Sequence, residues 1–263
     1  MRQHALALVF ALALVLVTSG RADAIVNGTL DGNTHPEVGA LIAEFRSTGE
    51  KDVLCSGTLI APKVFLTAGH CTSFLSGRGI TEVWVTFDST FTATSPLIHG
   101  SYVTNPDFGF SGPGGSSDPH DQAVVLLDRA AKGITPARLP TANLLDGIDL
   151  QSQTFTAVGY GTVRVDKTGG PNAFFFDSTR RNATQSFLSL EPAWLNLSEN
   201  PSTGSGGTCF GDSGGPHFLG GPSSNLEVSL TVTGDAVCRA TDKTYRLDTP
   251  AARAFLSGFV TVP

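Results

Sequence analysis

Long apolar runs are missing from this sequence. The longest, Ala5 to Val17, has 13 residues, short of the about 20 that a membrane-spanning helix needs. It follows Arg2 and precedes Ala22-Asp23-Ala24, a small-x-small pattern. Residues 1–24 therefore read as a secretory signal peptide cut after Ala24, and the mature chain as a secreted, extracellular protein. Methionine is nearly absent, whereas Gly (30) and Pro (15) are plentiful. That balance disfavours long helices and suits short strands joined by turns. Charge runs, low-complexity tracts and internal repeats are lacking as well. The formal net charge is −6, and losing Arg2, Arg21 and Asp23 with the signal takes it to −7. An acidic surface argues against nucleic acid or an anionic membrane as partner.

Cysteine is scarce: Cys55, Cys71, Cys209 and Cys238. None forms a C-x-x-C pair, which argues against a zinc site. A calcium-loop pattern is lacking too, so no metal or organic cofactor is expected. An even count in an exported chain favours two disulfides. Counting alone leaves three pairings open.

The apolar runs that are present are short and bounded by turn residues. Val38–Phe45, Thr58–Thr67, Glu82–Phe87, Gln122–Leu127, Thr154–Val158 and Glu227–Val232 read as strands. Asn105–Asp118 and Lys167–Asn172 read as loops, and the aromatic triplet Phe174-Phe175-Phe176 as a buried strand in preference to an exposed contact. One helix signal stands out. Thr249 can cap, Pro250 suits a first helical position, and Ala251–Ser257 follow. Ala130–Asp146 reads as a linker, which divides the chain into residues 25–135 and 136–263.

Three segments carry chemistry. In Gly211-Asp212-Ser213-Gly214-Gly215-Pro216 a serine sits between glycines, where the backbone can turn sharply and aim successive N–H groups at one point. A serine hydroxyl needs a base. His70, in Thr67-Ala68-Gly69-His70-Cys71, follows a strand-like run and adjoins a cysteine that can pin it. His35, His99, His120 and His217 lack such a setting and read as surface or structural histidines. The base needs a carboxylate to hold its tautomer, and Asp121 stands at the mouth of the apolar run Gln122–Leu127.

With Ile25-Val26-Asn27-Gly28 and Gly159-Tyr160-Gly161, these segments closely resemble the trypsin/chymotrypsin family of serine proteases over essentially all of residues 25–263. The resemblance implies an all-β fold: two packed six-stranded antiparallel β-barrels with a C-terminal helix and the catalytic groups in the cleft between them. It implies the disulfides Cys55–Cys71 and Cys209–Cys238. It implies Ser213 as nucleophile, His70 as general base, Asp121 as its orienting partner, and the N–H groups of Gly211 and Ser213 as the oxyanion hole. The rate should fall as His70 protonates, because charged imidazole accepts no proton. The new α-amino group of Ile25 would pair with Asp212 and order the oxyanion loop. The expected partners are a polypeptide substrate and a protein protease inhibitor, and the mature chain is expected to be a monomer.

The same resemblance places Gly207 at the floor of the specificity pocket, where trypsin-like members carry Asp. Thr208 follows it, Gly234 falls on the wall nearest the entrance, and Lys243 falls near the second wall glycine. Without a carboxylate on residue 207, a small, medium or aromatic apolar side chain is expected before the cut bond, with an acidic one second, in place of Arg or Lys. Two other readings compete: a non-catalytic binding protein on the same fold, and a non-peptidase acyl hydrolase.

Overall fold

The computed structural model describes residue 25 and residues 27–45, 49–109, 117–164 and 174–263. The expected signal segment and the Lys167–Asn172 loop lie outside the described residues.

After β1 (Thr29–Leu30), six strands make the first barrel: β2 (Val38–Phe45), β3 (Glu50–Ala61), β4 (Val64–Thr67), β5 (Glu82–Thr86), β6 (Ile98–Thr104) and β7 (Ala123–Leu127). Their order is β2-β3-β4-β7-β6-β5, and β5 pairs with β2 to close the ring. Each of these pairings is antiparallel. The Thr58–Thr67 run, expected as one strand, is a hairpin that turns at Pro62-Lys63. Proline has no N–H to give a ladder, so the strand ends there.

The second barrel starts with β8 (Thr154–Gly159). A two-stranded ribbon follows, β9 (Val163–Arg164) with β10 (Phe174–Phe175). The barrel resumes with β11 (Arg181–Leu190), β12 (Trp194–Ser198), β13 (Pro216–Leu219), β14 (Glu227–Gly234) and β15 (Thr241–Arg246). The order is β11-β12-β15-β14-β13-β8, with β11–β8 closing it. The architecture is thus the expected pair of six-stranded antiparallel barrels.

The helix at the C-terminus, α2 (Pro250–Leu256), starts as the sequence indicates: the Thr249 hydroxyl accepts from the Ala252 N–H at 3.2 Å. Leu256 and Ala252 are buried in an apolar cluster that draws on both barrels. A second helix, α1 (Gly69–Ser76), was not legible: its first turn is the histidine motif itself. Among the described residues no helix is long and apolar enough to cross a membrane.

The N-terminal segment crosses to the second barrel, where β1 pairs with β11. Fully buried Arg180 fixes the crossing. Its Nε donates to Asp31 Oδ2 (2.9 Å), Nη1 to the Val38 carbonyl (2.7 Å) and Nη2 to the Gly32 carbonyl (2.8 Å). Burial opposes ionisation of Asp31, but His35 and Arg180 outweigh it and hold the carboxyl well below the usual range.

The aromatic triplet departs from expectation. Phe175 and Phe176 are each 40% exposed, and Phe174 is half-buried. A two-stranded ribbon outside the barrels has no second layer to cover its rings. Phe174 packs on the Cys209–Cys238 disulfide and against Phe210.

Candidate active site

Asp121 precedes β7 and is fully buried, while the imidazole of His70 opens α1 and keeps 28% of its surface exposed. The two meet twice. The His70 backbone N–H donates to Asp121 Oδ1 at 2.8 Å, and His70 Nδ1 lies 2.9 Å from Oδ2. With both carboxylate oxygens engaged, Nδ1 carries the proton, which makes Nε2 the basic atom of the ring.

Ser213 is brought to the same place through the backbone. Its carbonyl accepts from the Ser56 N–H at 2.9 Å, and the Gly214 N–H donates to the Thr231 carbonyl at 2.8 Å. Cys55, next to Ser56, is disulfide-bonded to Cys71, next to His70. A Cβ on Gly214 would stand 2.6 Å from the Ala68 nitrogen and 2.4 Å from Thr67 Oγ1. The serine turn is therefore pressed directly onto the segment that carries His70. Cys55, His70 and Cys71 also bring metal-ligating atom types together. Both sulfurs are committed to the disulfide, however, and a metal ligand must be a thiolate.

Gly211 has φ +98°, a conformation that L side chains rarely adopt. This turn leaves the Gly211 and Ser213 N–H groups given to no protein acceptor among the described residues. Asp212 between them points the other way. Its carboxylate accepts from the Gly161 N–H (2.8 Å) and the Cys209 N–H (2.8 Å). Burial pushes its pKa up to about 7 against those hydrogen bonds. Ile25, its expected partner in the processed chain, is 1% exposed.

Gly159 and Gly161 are explained by this carboxylate: a Cβ on either would stand 2.1 Å and 2.4 Å from its atoms. Gly159→Ala should lower stability by about 1–3 kcal/mol through overpacking. Differential scanning calorimetry checks this, at roughly 2–4 °C of Tm per kcal/mol for a chain of this size. An unchanged Tm would contradict the packing described.

A cavity of about 280 Å³ opens beside Ser213, lined by Thr208, Thr231, Val232, Thr233 and Gly234 among others. Phe210 stands at its rim, 62% exposed. The Cys209–Cys238 disulfide contributes to the wall. Thr208 and Gly234 both belong to this lining. Gly207 lies behind the lining, against Glu199. Lys243 is not part of the cavity wall. Its Nζ is 3.6 Å from Glu191 Oε2 and sits over the Trp194 ring. The period of two along β15 is the reason: Asp242 and Thr244 turn inward, and Lys243 between them turns out.

Sequence reasoning missed a polar layer beneath this cavity. His217 is fully buried, with Nδ1 2.8 Å from Gln185 Oε1 and Nε2 3.0 Å from Thr231 Oγ1. Gln185 Nε2 donates to Asp242 Oδ2 at 2.9 Å. Thr208 Oγ1 donates to Glu199 Oε1 at 3.3 Å. Burial is the main force raising the pKa of both carboxyls, and each lies in the field of other acids.

Comparison with known proteins agrees with this geometry. The trypsin family model matches residues 33–254. A chymotrypsin of Phaedon cochleariae is 28% identical over 222 residues, covering 76% of this chain and 70% of that protein. The solved structure of HL collagenase superposes with a TM-score of 0.65 at 17% identity, over 88% of this chain and 97% of its own, a likeness of fold. The chain belongs to the trypsin family and is a trypsin/chymotrypsin-like serine endopeptidase.

Proposed function

We propose that the chain is exported and acts outside the cell, hydrolysing polypeptides with Ser213, His70 and Asp121 as its triad. The observation that carries this reading is the double contact of Asp121 with His70 beside a serine turn whose amides are open. His70 Nε2 takes the Ser213 proton as Oγ attacks the scissile carbonyl. The carbonyl oxygen becomes an oxyanion and accepts from the Gly211 and Ser213 N–H groups, a donor pair worth about 100- to 1000-fold per donor. The imidazolium gives its proton to the leaving amine, and water then repeats the sequence on the acyl-enzyme. Asp121, hydrogen-bonded to the ring, orients it and stabilises its charged form.

The cavity beside Ser213 takes the side chain preceding the cut bond. Its wall of Thr231, Val232 and Thr233 carries no charge, and Asp235, the charged residue in the lining, spends its carboxylate on the Val237, Arg239, Ala240 and Thr241 N–H groups, which favours apolar side chains and argues against exclusive Arg or Lys specificity. No metal is required by the mechanism. The natural antagonist of such a site would be a protein inhibitor that presents a loop to it, and the working unit is a monomer. A non-catalytic role is disfavoured, since the chain keeps Ser213, His70 and Asp121 and the last two are hydrogen-bonded to each other.

The test combines labelling with a cleavage profile. A serine-directed phosphonylating reagent should modify wild-type protein at Ser213 and fail on Ser213→Ala. A peptide library should be cut chiefly after apolar residues. Absence of both labelling and cleavage would refute the reading.

A further inference from the structure

The deepest departure from the sequence reading lies under Gly207. A Cβ on this glycine would stand 2.1 Å from Glu199 Cγ, 2.3 Å from Cδ and 2.5 Å from Cβ. The side chain of Glu199 therefore fills the volume that a side chain on residue 207 would begin to occupy. A carboxyl stands near the pocket floor after all, delivered from the segment after β12. Glu199 and Asp242 are both fully buried. One oxygen of each has a partner: Thr208 Oγ1 for Glu199 Oε1, Gln185 Nε2 for Asp242 Oδ2. Glu199 Oε2 and Asp242 Oδ1 have none among the described residues. Two unpartnered acidic oxygens behind a pocket wall are a costly arrangement.

We propose that Glu199 and Asp242 form a second, acidic layer of the specificity pocket, which accepts the guanidinium or ammonium end of a long basic side chain. The inference rests on the reading that this cavity takes the residue before the cut bond. Apolar residues use the upper wall of Thr231 to Gly234. A basic residue reaches past Thr208, the one lining residue hydrogen-bonded to Glu199. Its cationic end meets the two open oxygens.

The groups facing the pair set the pH behaviour. Asp235 and Asp212 add negative potential around Glu199. His217 on β13, with its Nε2 3.4 Å from Asp242 Oδ2, favours the ionised Asp242, as does Gln185 on β11. Burial dominates, and pushes Glu199 up to about 10. Glu199 is then protonated near pH 7, while Asp235 in the cavity lining is held ionised by the backbone N–H groups of Val237, Arg239, Ala240 and Thr241, on which its carboxylate is spent, so the wall still admits apolar side chains. A bound cation favours the ionised carboxyl, so its entry releases a proton. Affinity for the cation consequently rises with pH.

Matched peptides with arginine or citrulline before the cut bond test this, because they differ in charge and little in shape. The readout is the ratio of their kcat/KM values, in which the triad's own titration cancels. Processed wild-type enzyme should favour arginine by about ten- to a hundredfold at pH 9, the range for a charge-assisted hydrogen bond. The ratio should be smaller at pH 6. Glu199→Gln should bring it close to one at both pH values, and Asp242→Asn should lower it. A wild-type ratio near one at both pH values overturns the proposal, and this arm stands even where a variant fails to fold. A wild-type preference that both substitutions leave intact overturns it as well. Failure of the underlying protease reading looks different: neither peptide would be cut at all.

Discussion

Asp121→Asn should lower kcat for peptide hydrolysis by about 10⁴-fold, and Ser213→Ala by about 10⁶-fold, with KM changed only a few-fold. The first figure is the size the same change has in the family's reference enzyme, and the second that of nucleophile removal in another serine protease. The geometry gives the reason for the first. Asp121 Oδ1 accepts from the His70 backbone N–H and Oδ2 faces Nδ1. An asparagine would keep its oxygen on the backbone N–H and turn its NH₂ toward Nδ1. That nitrogen must then be an acceptor, so the proton moves to Nε2, the atom that should take the serine proton. The fold need not change. Steady-state kinetics on a good peptide substrate, with circular dichroism to establish that the variants are folded, decides the matter. Either variant retaining a tenth of wild-type kcat would remove its residue from the catalytic role.

How much of this was readable beforehand follows from where the information sits along the chain. The triad segments are local: each residue's setting is visible within five or six neighbours, as in Thr67–Cys71 or Gly211–Pro216. Strands such as β2 and β5 declared themselves by short apolar runs between breakers. Helix α1 did not, because Gly69-His70-Cys71-Thr72 has weak helix propensity and is held by the disulfide and by Asp121. The exposure of Phe175 and Phe176 depends on what lies above a ribbon, a tertiary fact. The acidic layer was hidden for the same reason. Its members come from β11, β13, β15 and the segment after β12, and they meet only once the barrel closes. One signal was available: the alternation of Thr241-Asp242-Lys243-Thr244 puts Asp242 and Lys243 on opposite faces. The resemblance places Lys243 near the second wall glycine, and a one-residue step is enough to exchange the faces. The irregular register between Thr231 and Thr233 on the neighbouring strand β14 adds a step that counting cannot register.

The form beginning at Ile25 should exceed, by about 100- to 1000-fold in kcat/KM, one that carries a single further residue in front of it. The range is that of one oxyanion-hole donor gained or lost. Asp212 is buried between Gly211 and Ser213, the proposed oxyanion donors, with backbone N–H groups as its partners and its pKa raised to about 7. A buried carboxyl that is half neutral near pH 7 is poorly held, and so is the turn it anchors. A free α-amino group brought to it would favour the ionised carboxyl and be favoured in turn as the ammonium. The signs set a window. The carboxyl of the pair, with its pKa pulled down from about 7, stabilises the processed enzyme at neutral pH and loses this as pH falls through the lowered value. The ammonium, with its pKa raised above the ordinary value of about 8, stabilises below that value and loses this as pH rises through the raised one. Activity of the processed form should therefore decline on the alkaline side through loss of this pair, and Asp212→Asn should resemble the extended form at every pH. Kinetics of the two forms from pH 6 to 10, with the N-termini sequenced, measures this. Equal activity of the two forms would mean that the oxyanion turn is held by the Gly161 and Cys209 amides alone, and that Ile25 has no part in it.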